Sequence, residues 1–334
     1  MFPKPPVVPR AELHCHMEGA APPSLVIKLA ERYGVALDGL LDANGNYSWH
    51  DFTTFLKTYD VASSLFRSQD DFVLLAETYF NMLAAEGAIY GEVFISPDHA
   101  VRSGMSYKSY MDAIGEGIAR AHAASGIEGR MIATGVRHFG AKSVELAAKE
   151  AVMNPHPLMT GFGLAGDERE GHPANFQRAF RLAEEAGLGL TAHAGEFGGP
   201  ESVKAVLDFL KVKRLGHGVR AVEDDAVVDR IVDKGITLEV CPGSNVALGL
   251  YENLRFHPVN ILRQKGARIT ISSDDPPFFR TTLGHEYAEA SRVFGWTREV
   301  QRELTANAIR AAFCDEATKN ALMTRLDAAM QNTR

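Results

Sequence analysis

Six side chains in this sequence are of types that hold a metal and move protons: the pair His14 and His16, then His193, His217, and the neighbours Asp274 and Asp275. On an extended chain, residues i and i+2 point to one face, so the HxH pair sends both imidazoles into one space. Three imidazoles and a carboxylate make a donor set suited to zinc, with one coordination position left for water. Zinc lowers the pKa of a bound water towards about 7 and so makes a nucleophile available at neutral pH. Asp274 and Asp275 are adjacent, and adjacent strand residues point opposite ways, so both cannot be ligands unless the chain bends there.

These residues need a scaffold that brings distant parts of the chain together. Short β-rich runs occur at 10–15, 88–95, 130–136, 159–165, 188–193, 213–217, 235–240 and 267–272. Several are almost continuously apolar, as strands covered on both faces should be. Helical stretches lie between most of them. Residues 174–187 place Phe176, Ala179, Phe180 and Ala183 on one stripe and end at Gly187, and 201–211 and 223–234 read the same way. This alternation predicts an α/β fold with a parallel sheet closed into a (β/α)8 TIM barrel. Residues 24–87 are expected to form a helical insertion after the first strand, and 283–334 a set of C-terminal helices, all within one domain spanning 1–334. In this arrangement the six residues fall at the C-terminal ends of strands, the rim where barrel active sites are built. The fourth strand runs into LAGDE (164–168), which lacks the lysine that binuclear barrel hydrolases often carboxylate there, so a single metal is expected.

The composition sets limits on the partners. With 334 residues, 46% hydrophobic and 23% charged, the chain has the make-up of an ordinary globular protein. A net charge of −7 argues against a nucleic-acid partner. The one short basic run, Lys211, Lys213 and Arg214, reads as a solvated edge. Three cysteines without a CxxC pair form no disulfide framework, which predicts a cytoplasmic setting. Prolines in MFPKPPVVPR interrupt the apolar run that a signal peptide needs, and no segment is apolar enough to span a membrane.

Six segments together resemble the adenosine deaminase family: ELHCHMEGA (12–20), LAGDE (164–168), TAHAGE (191–196), LGHGVRA (215–221), LEVCPGSN (238–245) and SSDDPP (272–277). They occur in the family's order and with its spacing. The resemblance implies one zinc held by His14, His16, His193 and Asp274. It gives Glu196 the role of proton donor to purine N1, and His217 the role of orienting and helping to deprotonate the attacking water. Asp275 would face that water or purine N7, Gly166 would offer its backbone N–H to purine N3, and His16 and Glu18 would border the substrate. Asp167 is expected to support the site, Ser244 and Asn245 to order the rim, and Phe55 and Leu56 to pack as core or to cover the pocket mouth. The implied reaction is addition of the metal-activated water to C6 and loss of ammonia.

The expected substrate is adenosine or 2′-deoxyadenosine, a free small molecule and not a flipped base, because the HxE and PCxxC pattern of base-flipping deaminases is absent. The alternatives are adenine itself and another 6-aminopurine nucleoside or nucleotide. Position 18 bears on the choice. Adenosine-specific members typically carry aspartate there, against the ribose 5′-hydroxyl, whereas members acting on adenine often carry glutamate, as this chain does. Two readings outside this chemistry are a silent metal-stabilised binding protein and a barrel amidohydrolase cleaving a cyclic amide or ester. The presence of Glu196 and His217 speaks against the first, and the fit of HAGE and SSDDPP to purine deamination against the second.

Overall fold

The computed structural model describes residues 8–331. Most of the proline-rich start lies outside the described residues. Eight parallel strands follow one another in chain order: β1 (Arg10–Glu12), β2 (Ala88–Ile95), β3 (Glu128–Val136), β4 (Met159–Ala165), β5 (Gly189–Ala194), β6 (Arg214–His217), β7 (Thr237–Val240) and β8 (Arg268–Ile271). The barrel closes through a parallel bridge between Cys15 and Asp274, where Asp274 N–H donates to His14 O at 2.9 Å and His16 N–H donates to Asp274 O at 3.1 Å. This is the expected (β/α)8 barrel. The fully buried β2 (AIYGEVFI) illustrates why its runs read so clearly, since helices cover the outside and side chains fill the inside.

The first strand is shorter than its sequence run. Beyond Glu12 the chain continues extended as single bridges, with Phe94 N–H donating to Cys15 O and Met17 N–H donating to Phe94 O. The HxH pair therefore hangs from the barrel rim between β2 and β8.

The 24–87 stretch does two jobs. Its last helix, Gln69–Ala85, packs on β2 and on the helix Tyr107–Ser125, the position of an ordinary barrel helix. The preceding helix, Phe52–Ser63, sits over the barrel mouth. Both start with reciprocal capping boxes, Asp51 with Thr54 and Ser68 with Asp71, which satisfy backbone donors that would otherwise be orphaned. The indole of Trp49 donates to Phe278 O at 2.9 Å and the Tyr47 ring stacks on Phe278 at 3.8 Å, tying this cover to the loop after β8.

One expectation fails. Lys211 and Lys213 are exposed, but Arg214 is completely buried. It opens β6 with its side chain turned inward, ion-paired to Glu92 at 2.7 Å and to Glu239 at 2.5 Å. Its guanidinium stacks on Phe313 at 3.7 Å and donates to Ala311 O at 3.1 Å. Glu92 in turn accepts from Tyr90 Oη at 2.7 Å and from Phe313 N–H at 2.6 Å. A strand inside a closed barrel has no solvated edge, and each buried charge here has an opposite partner and hydrogen bonds. Among the described residues no helix is long and apolar enough to cross a membrane.

Candidate metal centre and active site

His14, His16, His193 and Asp274 converge, with one donor atom from each lying within 4.8 Å of the others. His14 Nδ1–H donates to Glu239 at 2.7 Å, and His193 Nδ1–H donates to Leu164 O at 2.9 Å. With both Nδ1–H groups committed, the two rings turn their Nε2 atoms on each other at 3.1 Å, free as neutral imidazoles to direct both lone pairs at one cation. Asp274 Oδ1 lies 3.6 Å from His14 Nε2 and 3.4 Å from His16 Nε2. Lone pairs and a carboxylate aimed at one point are what a divalent cation resolves, so the donor set fits a metal.

The backbone makes this possible at two places. Asp274 has φ +65, in the left-handed region, and this is the bend that lets Asp274 and Asp275 both reach the pocket. Gly216 leaves room for the imidazoles, since a Cβ there would come within 2.8 Å of His14 Cε1 and 3.1 Å of His193 Nδ1.

Around the ligands stand the groups expected to move protons. Glu196 and Asp275 are buried, and His217 Nε2 lies 3.7 Å from Glu196 Oε2 and 3.9 Å from Asp274 Oδ2. Burial, reinforced by the charge of Asp274, pushes the Glu196 carboxyl well above the usual carboxylate range. The same two causes act on Asp275, whose Oδ1 has no hydrogen-bond partner among the described residues. Burial pushes His217 down to about 3, so its ring is neutral at physiological pH. For Asp274 burial would raise the pKa, but the hydrogen bond from His16 and the surrounding imidazoles hold the carboxylate well below its ordinary range.

Ser244 and Asn245 sit deeper than a rim. Ser244 Oγ donates to Asp274 Oδ2 at 2.7 Å, and the Asn245 amide nitrogen lies 3.2 Å from His217 Nδ1. Gly166 borders the pocket at φ +94, where a Cβ would also meet His138 Nδ1 at 2.6 Å, so glycine is required there whatever its backbone N–H binds. Asp167 pairs with Arg169 at 2.7 Å. Phe55 and Leu56 serve both roles weighed for them, since they line the pocket while Phe55 packs against Phe279 at 5.1 Å.

Several residues that shape the site were not singled out from the sequence. Glu168, also in LAGDE, accepts backbone N–H from Gly195 at 2.5 Å, Glu196 at 3.0 Å and Gly198 at 2.9 Å, and so fixes the loop that presents Glu196. Glu12 accepts from His14 N–H at 3.0 Å and from Ser273 Oγ at 2.6 Å, joining the two ligand-bearing segments. Gly19 is the third, because a Cβ there would sit 1.7 Å from Asp275 Oδ1. Gly19→Ala is therefore expected to displace the Asp275 carboxylate and lower kcat by about 10²-fold, the loss an ångström of misplacement brings. Steady-state kinetics on a folded variant checks this, and wild-type kcat would mean that Asp275 has room to yield.

The family model described as adenosine deaminase matches residues 9–329. The chain belongs to the adenosine deaminase family. Among its relatives in the family is an adenine deaminase of Chelativorans sp. (strain BNC1), 54% identical over 323 residues, covering 97% of this chain and 99% of that one. The crystal structure of an adenine deaminase from Arthrobacter aurescens matches with a TM-score of 0.90 at 30% identity, covering 97% of this chain and 100% of that chain. An amidohydrolase from Burkholderia ambifaria, solved with bound Zn, matches with a TM-score of 0.86 at 26% identity over 98% of this chain and 92% of its own. The family's chemistry here is hydrolytic deamination of a 6-aminopurine. The relatives' names favour the adenine alternative over adenosine, which the sequence reading placed first.

Proposed function

We propose that this protein is a zinc-dependent adenine deaminase, converting free adenine and water to hypoxanthine and ammonia. The observation that carries the choice of free base is the state of Glu18. Its side chain is buried, Oε1 accepts from Tyr110 Oη at 2.5 Å, and Oε2 lies 2.9 Å from His99 Nδ1. Burial would raise Glu18, but the charge of His99 and the hydrogen bonds from His99 and Tyr110 override it and hold the carboxyl below its ordinary range. Oε1 is held by Tyr110 and Oε2 is paired with His99, so the carboxylate is fixed in place as part of the pocket wall. A nucleoside would need this carboxylate for a sugar hydroxyl, and a free base makes no such demand. The high identity to adenine deaminases supports the same reading.

Ammonia release from adenine, adenosine and 2′-deoxyadenosine, measured in parallel, tests it. Adenine is expected to be turned over at least about 10²-fold faster in kcat/KM than either nucleoside, the discrimination a mismatched polar contact supplies. Nucleoside turnover equal to or above that of adenine would return the assignment to adenosine.

His14, His16, His193 and Asp274 would hold the metal, which would supply an activated water at neutral pH. Glu196, kept protonated by its burial, donates to purine N1 and makes C6 electrophilic. His217 aligns the attacking oxygen. Asp275 is raised by burial and by the charge of Asp274, and a cation held by Asp274 would offset that charge and leave Asp275, whose Oδ1 has no hydrogen-bond partner among the described residues, as the carboxylate that takes the water proton and passes it to the departing amino group. The C6–O bond forms, the C6–N bond breaks, ammonia leaves, and the remaining hydroxyl proton at C6 returns to the Glu196 carboxylate as the carbonyl forms.

This assignment fixes the sign of a pH effect. The active form of Glu196 is the protonated one, so kcat/KM is maintained below its raised pKa and lost as pH climbs through it. The alkaline limb of the profile should therefore lie well above the ordinary carboxylate range, and a limb near pH 4.5 would remove Glu196 from the donor role.

A further inference from the structure

His217 ends a chain of hydrogen bonds that starts at a main-chain amide on the far side of the pocket wall. Val259 N–H donates to His257 Nδ1 at 3.2 Å. A backbone amide can only donate, so His257 Nδ1 is bare and its proton sits on Nε2. That Nε2–H donates to Asn245 Oδ1 at 3.1 Å. With its oxygen so occupied, Asn245 turns its amide nitrogen to His217 Nδ1 at 3.2 Å, and an amide nitrogen also only donates. His217 Nδ1 is therefore an acceptor, and the neutral ring carries its proton on Nε2, the nitrogen facing Glu196 and Asp274.

We propose that Asn245 and His257 are positioning residues that fix the tautomer of His217, so that His217 serves the reaction as a hydrogen-bond donor through Nε2 and not as the base. All three side chains are buried, at 0%, 2% and 1% exposure for Asn245, His257 and His217, so bulk water does not compete for these bonds. The backbone of His217 is itself in the left-handed region at φ +59, which fixes the direction from which the ring enters the pocket. Each partner has one direction of donation open to it, and the polarity set at Val259 passes unchanged to the ring. An Nε2–H aimed into the pocket steadies the negative charge that grows on the attacking oxygen at C6. It cannot accept that oxygen's proton, which leaves Asp275 as the acceptor.

The proposal rests on the deaminase reading for its kinetic consequence only, because the tautomer can be read directly. The experiment is ¹⁵N NMR of the zinc-loaded protein with labelled histidine, alongside kinetics on adenine. In the wild type, His217 should show a protonated Nε2 and a bare Nδ1. Asn245→Asp, nearly isosteric, replaces the donating amide by an acceptor and should move the proton to Nδ1. It should also lower kcat by about 10²-fold, the effect of losing one preorganised donor, with KM and zinc content little changed. His257→Leu removes the donor that orients Asn245 and should lower kcat, and His257→Gln, which still offers an N–H to Asn245, should recover most of that loss. A wild-type ring protonated on Nδ1 would overturn the proposal. So would an Asn245→Asp protein whose tautomer inverts without loss of kcat. If the protein releases no ammonia from any 6-aminopurine while the tautomer inverts as described, the deaminase reading fails and the relay stands.

Discussion

On the proposed deaminase reading, replacing Glu196 by glutamine should leave the protein folded and its capacity to bind zinc intact while turnover of adenine falls by about 10²–10⁴-fold, the range that general acid catalysis supplies. Glutamine keeps the shape and puts an N–H donor in place of the carboxyl O–H, but it cannot release a proton to purine N1. The loss should appear in kcat, since N1 protonation belongs to the transition state, with KM changing little. The surroundings argue for a clean result. The backbone N–H groups of Gly195, Glu196 and Gly198 are held by Glu168, so the loop keeps its form whichever side chain position 196 carries. Glu196 is already held neutral by its burial, so a neutral glutamine leaves the charge balance beside Asp274 unchanged and stability should hold. Turnover within a few-fold of wild type would mean that N1 receives its proton elsewhere.

Arg214→Met should give the largest loss of stability among these variants. The guanidinium is the counter-charge for both Glu92 and Glu239 in the barrel interior. Removing one member of a buried charge cluster costs about 3–5 kcal/mol, because the remaining charge is left unpaired. Urea denaturation should show the midpoint falling at unchanged slope. A second readout follows from Glu239, which holds His14 Nδ1 at 2.7 Å. Without Arg214 that carboxylate gains protons more readily, its pull on His14 weakens, and zinc affinity measured by chelator competition should drop by about 10–100-fold. A variant as stable as wild type would show that water or a rearranged glutamate compensates the missing charge.

The legibility of this protein followed burial. Runs such as AIYGEVFI and MTGFGLA were readable because a strand covered on both faces has little use for polar residues. The metal-ligand candidates were readable for the opposite reason, since HxH and DD stand out where apolar strands end. What escaped was long-range pairing. Glu12, Glu92, Arg214 and Glu239 were visible as charges inside apolar runs, a signal that they face a polar barrel interior, yet nothing local says which pairs with which. Arg214 was misread because two solvated lysines precede it, while its inward direction is set by the strand that starts there. Gly19 was opaque because its requirement comes from Asp275, which is far along the chain although it lies at the same rim of the barrel. Glu18 carried the substrate question in the sequence, but the contacts that fix its side chain, to Tyr110 and His99, are joined to it by no motif.

The seam at Cys15 and Asp274 also bears on when the protein can acquire its metal. A ribosome releases the chain from the N-terminus at about 5–20 residues per second, so His14 and His16 emerge on the order of tens of seconds before Asp274. Until β8 has closed against the first strand, those two histidines are a loose, two-toothed ligand of low affinity. The support behind His14 arrives later still, because the Arg214 cluster is completed by Ala311 and Phe313. The four-ligand set is therefore complete only once Asp274 has emerged and closed against the first strand, so tight metal binding would wait for the barrel to close.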